Sequence, residues 1–160
     1  YGYEPFSQRV DDVNPALERR LTVRLLAYWE SLREGRAMPT ENDINPDRLN
    51  ELWDDCFLLH TQDLDKDGYN FIYLGESIRQ AFTGGNTLQS TPHAAHLTLN
   101  IKQLSPNVKL VLERKKPVIL EGSAYSDIGQ LIKYRQCLLP LGQADKVLAI
   151  FGGMRCKIYP

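Results

Sequence analysis

No apolar run in this 160-residue chain approaches the ~20 residues a helix needs to cross a bilayer. Contact with a membrane is therefore not expected. The opening Tyr1-Gly-Tyr-Glu-Pro is polar and lacks the apolar centre of a secretory signal. With Tyr at position 1, a short leader is expected ahead of it. Cysteine is scarce. Cys56, Cys137 and Cys156 are odd in number and far apart, and two of them lie in apolar runs. That pattern excludes a disulfide framework and reads as reduced thiols of a cytoplasmic protein. A charge excess is missing too. The formal net charge is -1, which argues against nucleic acid as a partner. Gly-x-Ser-x-Gly, a P-loop and His-Glu-x-x-His are all absent from the sequence, so the common catalytic signatures give no support for an enzyme.

What remains is globular material: 42% hydrophobic and 24% charged residues, enough to build the core of one domain. The charge is uneven along the chain. Residues 1–80 hold 16 acids and 9 bases, and residues 81–160 hold 4 acids and 10 bases. Two solvated faces that neutralise each other within one fold explain this. Head-to-tail contact between molecules, or an anionic partner near Lys109, Arg114, Lys115 and Lys116, is the alternative.

Residues 1–13 read as an irregular lead-in. Asn14-Pro15 then starts a helix, with Asn to cap the free N–H groups and Pro at the first helical position. Leu17, Leu21, Leu25, Tyr28, Trp29 and Leu32 recur at helical spacing, and Gly35 fits the stop. An N-terminal helix is expected within 14–36, as a cover for the sheet or a dimer contact. The rest, 37–160, forms the main body. Asn45-Pro46 caps a short helical turn. Cys56–Thr61 and Tyr69–Gly75 read as two strands joined by a tight hairpin at Lys66-Asp67-Gly68. Short helices follow, with cap-plus-proline starts at Thr91-Pro92 and Ser105-Pro106. Three more strands are expected over 117–125, 131–141 and 147–158. Cys137-Leu-Leu and Val147-Leu-Ala-Ile-Phe are apolar at consecutive positions, so both faces of the sheet need covering. The fold class is therefore α+β, built on an antiparallel sheet.

That order, with Tyr28-Trp-Glu-Ser-Leu-Arg-Glu-Gly-Arg-Ala-Met-Pro, Asp43-Ile-Asn-Pro, Cys56-Phe-Leu-Leu, Phe71-Ile-Tyr-Leu-Gly-Glu-Ser-Ile, Leu138-Leu-Pro-Leu and Val147-Leu-Ala-Ile-Phe-Gly-Gly, resembles a PAS domain. More narrowly, it resembles the stand-alone bacterial PAS subfamily once classed as a domain of unknown function. The resemblance spans about residues 25–153. It implies a five-stranded antiparallel sheet with short helices on one face around a small cavity. It also implies sensory, regulatory or scaffolding work.

Several motifs compete with plainer readings. Asp63-x-Asp65-x-Asp67-Gly68 opens like a calcium loop, but its twelfth position is Leu74 rather than Glu, so it reads as an acidic hairpin tip. His93-x-x-His96 lacks a third and fourth zinc ligand nearby. Gly152-Gly153 is too short to cradle a phosphate and reads as a bulge. The cavity candidates are Tyr69, Phe71 and Tyr73, expected on one strand face, with Phe82, Tyr134, Leu138 and His60. Aromatics of this kind fill cores as readily as they line pockets. The candidate dimer contact is Leu17, Leu21, Leu25, Tyr28 and Trp29.

The leading expectation is a cytoplasmic sensory module that binds a small-molecule ligand and signals through a protein partner. A ligand-free adaptor acting as a homodimer is the alternative, and a small-molecule enzyme ranks last. The sequence names no cofactor and no metal.

Overall fold

The computed structural model describes residues 15–61, 71–83 and 105–159. Helix α1 spans Pro15–Arg33 and stops where Glu34 and Gly35 take positive φ, a conformation that suits glycine. Three short 3₁₀ stretches follow, Glu41–Asp43, Pro46–Arg48 and Asn50–Asp55. Asn45 caps the second of them, its Oδ1 accepting from the Asp47 N–H at 3.0 Å. Strands β1 (Cys56–His60) and β2 (Phe71–Leu74) precede helices α2 (Glu76–Thr83) and α3 (Ser105–Arg114). Strands β3 (Val118–Tyr125), β4 (Leu131–Gln143) and β5 (Lys146–Tyr159) complete the chain. The five strands form one antiparallel sheet in the order β2-β1-β5-β4-β3, as the resemblance implied. The calcium-like loop, the His93–His96 pair, Tyr69 and the Thr91-Pro92 helix start lie outside the described residues.

Both faces of the sheet are covered. On the outer face sits α1. Leu21, Leu25 and Trp29 are buried, and a Cβ at Gly153 would run into Leu25 Cδ1. The Trp29 indole N–H donates to the Pro140 carbonyl at 2.8 Å. There β4 has already passed its last pairing with β3, Val118 to Leu138. A proline without an N–H is tolerated at such an open edge. Tyr28 ties the following connection to the helix, its hydroxyl accepting from the Asn45 N–H at 2.7 Å. Leu21, Leu25 and Trp29, expected at a dimer contact, thus lie in the chain's own core. A dimer formed through them would require α1 to leave its sheet. The side chain of Leu17 lies outside the described residues.

Short helices α2 and α3 pack on the inner face, burying Ile78, Ala81, Phe82, Val108 and Val111. One expectation is corrected by backbone register. Gly152 and Gly153 do not form a bulge, because both pair continuously with β1 and β4. They are glycines because of close approach: a Cβ at Gly152 would come within 2.6 Å of the Phe57 ring. The irregularities fall elsewhere. One lies between Leu141 and Gly142. The other lies between Leu58 and Leu59, so that Tyr73 stands opposite Leu58 and Phe71 opposite Leu59. Leu58 and Leu59 are consecutive and face opposite sides of the sheet. Phe71 belongs to β2, and its side chain lies outside the described residues.

Candidate functional site

The strands of the sheet differ in length, and that difference makes the site. Strand β1 begins with Cys56 opposite Gly153. Past Gly153, β5 continues to Tyr159 with β4 on one side only among the described strands. The N-terminal half of α2 and the end of the Asn50–Asp55 stretch approach this free edge. Gly75 permits the approach, because a Cβ there would lie 2.8 Å from the Cys56 carbonyl oxygen. The Gly75 N–H also donates to that oxygen at 2.8 Å. The C-terminal end of α2 is held to the β3–β4 hairpin by the Asp127 N–H, which donates to the Phe82 carbonyl at 2.7 Å.

Between these elements lies a cleft of about 480 Å³ lined by Asp55, Ser77, Gln80, Ala81, Gln130, Met154, Arg155, Cys156 and Ile158. Asp55 and Arg155 form its charged pair, Oδ2 to Nε at 3.1 Å. Burial pushes the Asp55 carboxyl above its ordinary value of 3.8; the Arg155 charge and a Ser77 hydrogen bond pull the other way. Met154, Ala81 and Ile158 give the cleft apolar walls. Such a mixed lining suits a small amphipathic molecule. Among the described residues, no group of three or more His, Cys, Asp or Glu side chains is placed to hold a metal ion. No described helix is long and apolar enough to cross a membrane.

Of the residues singled out in the sequence, those whose side chains are described lie elsewhere. Tyr134 and Leu138 occupy the inner face but are packed in the core, as is Phe82 on α2. The Tyr134 ring lies over Gly122, where a Cβ would come within 2.7 Å of it, and burial raises the pKa of its hydroxyl. Tyr73 stacks on Trp53 with ring centroids 4.1 Å apart and donates its hydroxyl to the Trp53 carbonyl at 2.9 Å. It is a brace for the turn before β1. His60 ends β1 away from the cleft, its Nε2 2.8 Å from Glu41 Oε1. None of these residues lines the cleft.

One inner-face residue was not singled out. Gln136 is 1% exposed, and among the described residues neither atom of its side-chain amide has a hydrogen-bond partner. It sits in β4 opposite Met154 on one side and Leu120 on the other. The signal was available: an amide inside Tyr134-Arg-Gln-Cys-Leu-Leu at the same two-residue spacing as Tyr134 and Leu138.

A five-stranded antiparallel sheet in this order, with short helices on its inner face, is the architecture of a PAS domain. A family model described as a PAS domain matches residues 17–155, and the chain belongs to that family. Among solved structures it is similar to the PAS domain of the fruit-fly ELK potassium channel, at 14% identity over 75% of this chain and 99% of that one, with a TM-score of 0.47. It is also similar to a LOV protein of Rhodobacter sphaeroides, at 10% identity over 71% of this chain and 68% of that one (TM-score 0.44). A fungal LOV domain photoreceptor is similar at 11% identity over 72% of this chain and 93% of that one (TM-score 0.43). No curated protein matches the chain.

Proposed function

We propose that this PAS domain is a sensory module that binds a small molecule on the inner face of its sheet and passes that state to a protein partner. The observation that supports this reading is the cleft between α2 and the free edge of β5, with its Asp55–Arg155 pair and apolar walls. Ligand binding there would shift the balance between conformations of α2 and the β3–β4 hairpin, which are joined through Asp127 and Phe82. The hairpin carries the exposed apolar side chains Tyr125 and Ile128, which suit a partner contact. Catalysis is not part of this reading. The acid in the cleft, Asp55, is already engaged by Arg155 and Ser77.

The adaptor reading has an observation of its own. Phe82, Tyr134 and Leu138 fill the core instead of lining a space. Native mass spectrometry of freshly purified protein separates the two. A reproducible bound mass that is released on denaturation is expected. A clean apo mass across independent preparations overturns the sensory reading in favour of the adaptor.

A further inference from the structure

The amide of Gln136 is the most unusual group in the described core. It is buried, its Nε2 and Oε1 both lack partners among the described residues, and its neighbours in register are Leu120 and Met154. Along β4 its same-face neighbours are Tyr134 and Leu138. A buried amide with neither donor nor acceptor satisfied is strongly unfavourable, and native proteins rarely keep one. Met154, directly opposite on β5, lines the cleft. Methionine is unbranched and adaptable, so a rotamer change there connects the cleft to the amide.

Resting on the sensory reading above, we infer that the ligand site extends past Met154 to Gln136, and that the ligand is a neutral molecule presenting a hydrogen-bond donor and acceptor side by side. Primary carboxamides, lactams and imides have such an edge. Pairing with it satisfies both amide atoms at once, and flipping the Gln136 amide leaves the requirement unchanged. A carboxylate would accept from Nε2 and leave Oε1 unpaired. It would also bring a charge among Leu120, Tyr134, Leu138 and Met154, none of which offers a counter-charge. The nearest charges that line the cleft, Asp55 and Arg155, are already paired with each other.

The test uses benzamide and benzoate as probes of nearly equal shape, followed by ¹⁵N NMR of the full chain. Benzamide is expected to shift the Gln136 side-chain NH₂ resonances, and benzoate is not. Gln136→Met is expected to weaken benzamide binding at least tenfold. Without ligand it is expected to raise Tm by about 3 °C, because an unsatisfied amide is replaced by an apolar side chain of similar shape. Met154→Ala, which keeps the amide, is expected to tighten benzamide binding by opening the route. Equal binding of the two probes to the wild-type chain overturns the inference, as does a fall in Tm for Gln136→Met. If native mass spectrometry finds the same bound mass in the wild type and in Gln136→Met, the inference fails and the sensory reading stands. If neither carries a bound mass and benzamide does not bind, both fail.

Discussion

At the scale of single residues, charge and burial pull against each other at Asp55. Its pKa is raised in the folded chain, so the fold holds that proton more tightly than the unfolded chain does. Stability from this proton is complete below the ordinary value of 3.8 and is lost as pH rises through the folded value. Asp43 behaves in the opposite way. The Thr40 N–H donating to its carboxylate at 2.8 Å is the main cause of a lowered pKa, so its contribution is lost as pH falls below 3.8. Urea unfolding of wild type and Asp55→Asn from about pH 4 to 7 isolates the first effect, since shared contributions cancel in the difference. The variant is expected to gain stability relative to wild type as pH rises. A flat difference would mean that Asp55 titrates normally. Gln136 teaches a related lesson. Its place on the inner face was readable from the two-residue period. That its amide stands without a partner among the described residues was not, because satisfaction depends on what other strands bring near.

At the scale of elements, periodicity carried most of the fold. The change from helical spacing in residues 17–32 to strand-like runs after Cys56, and again after Pro117, located α1 and all five strands. Turn residues between them were readable because Gly129 takes positive φ between β3 and β4 and few other residues tolerate it. What periodicity missed were backbone events without a compositional mark. One is the register shift between Leu58 and Leu59, opposite Tyr73, whose ring stacks on Trp53. The cleft was equally hidden, since it exists because β5 outruns β1. The role of α1 was open between cover and dimer contact. Burial of Leu25 against Gly153 makes a direct prediction. Leu25→Asp is expected to unfold the chain, costing about 4 kcal/mol or more by placing a charge in the core. Circular dichroism and chemical denaturation measure this. A folded, stable monomer from that variant would mean that α1 holds the sheet only through other contacts.

At the scale of the whole molecule, the sheet is a partition with different material on each side. Outside lies one long helix fixed by Leu21, Leu25 and Trp29. Inside lie short helices, an open cleft and a buried amide. Strand β5 contributes to both sides at once, through Gly153 outward and Met154 inward. A change beside Met154 is therefore one residue away from the seat of α1. The resemblance to PAS domains gave the sheet and its helices, whereas the proposed ligand chemistry is argued only from the inner face, from the cleft and the Gln136 amide.

The three thiols divide along the same partition and act as natural clocks for its two sides. Cys137 lies opposite Gly153 beneath α1, and burial pushes its thiol up to about 12; Cys156 is partly exposed beside the cleft. Reaction with a maleimide needs access and thiolate character, so Cys156 is expected to label first. Labelling of Cys137 is expected to wait for α1 to lift. Peptide mass mapping over time would read both rates from one sample. Occupation of the cleft would slow the first rate, and Leu25→Ala would hasten the second. Equal rates for the two would mean that the sheet separates nothing.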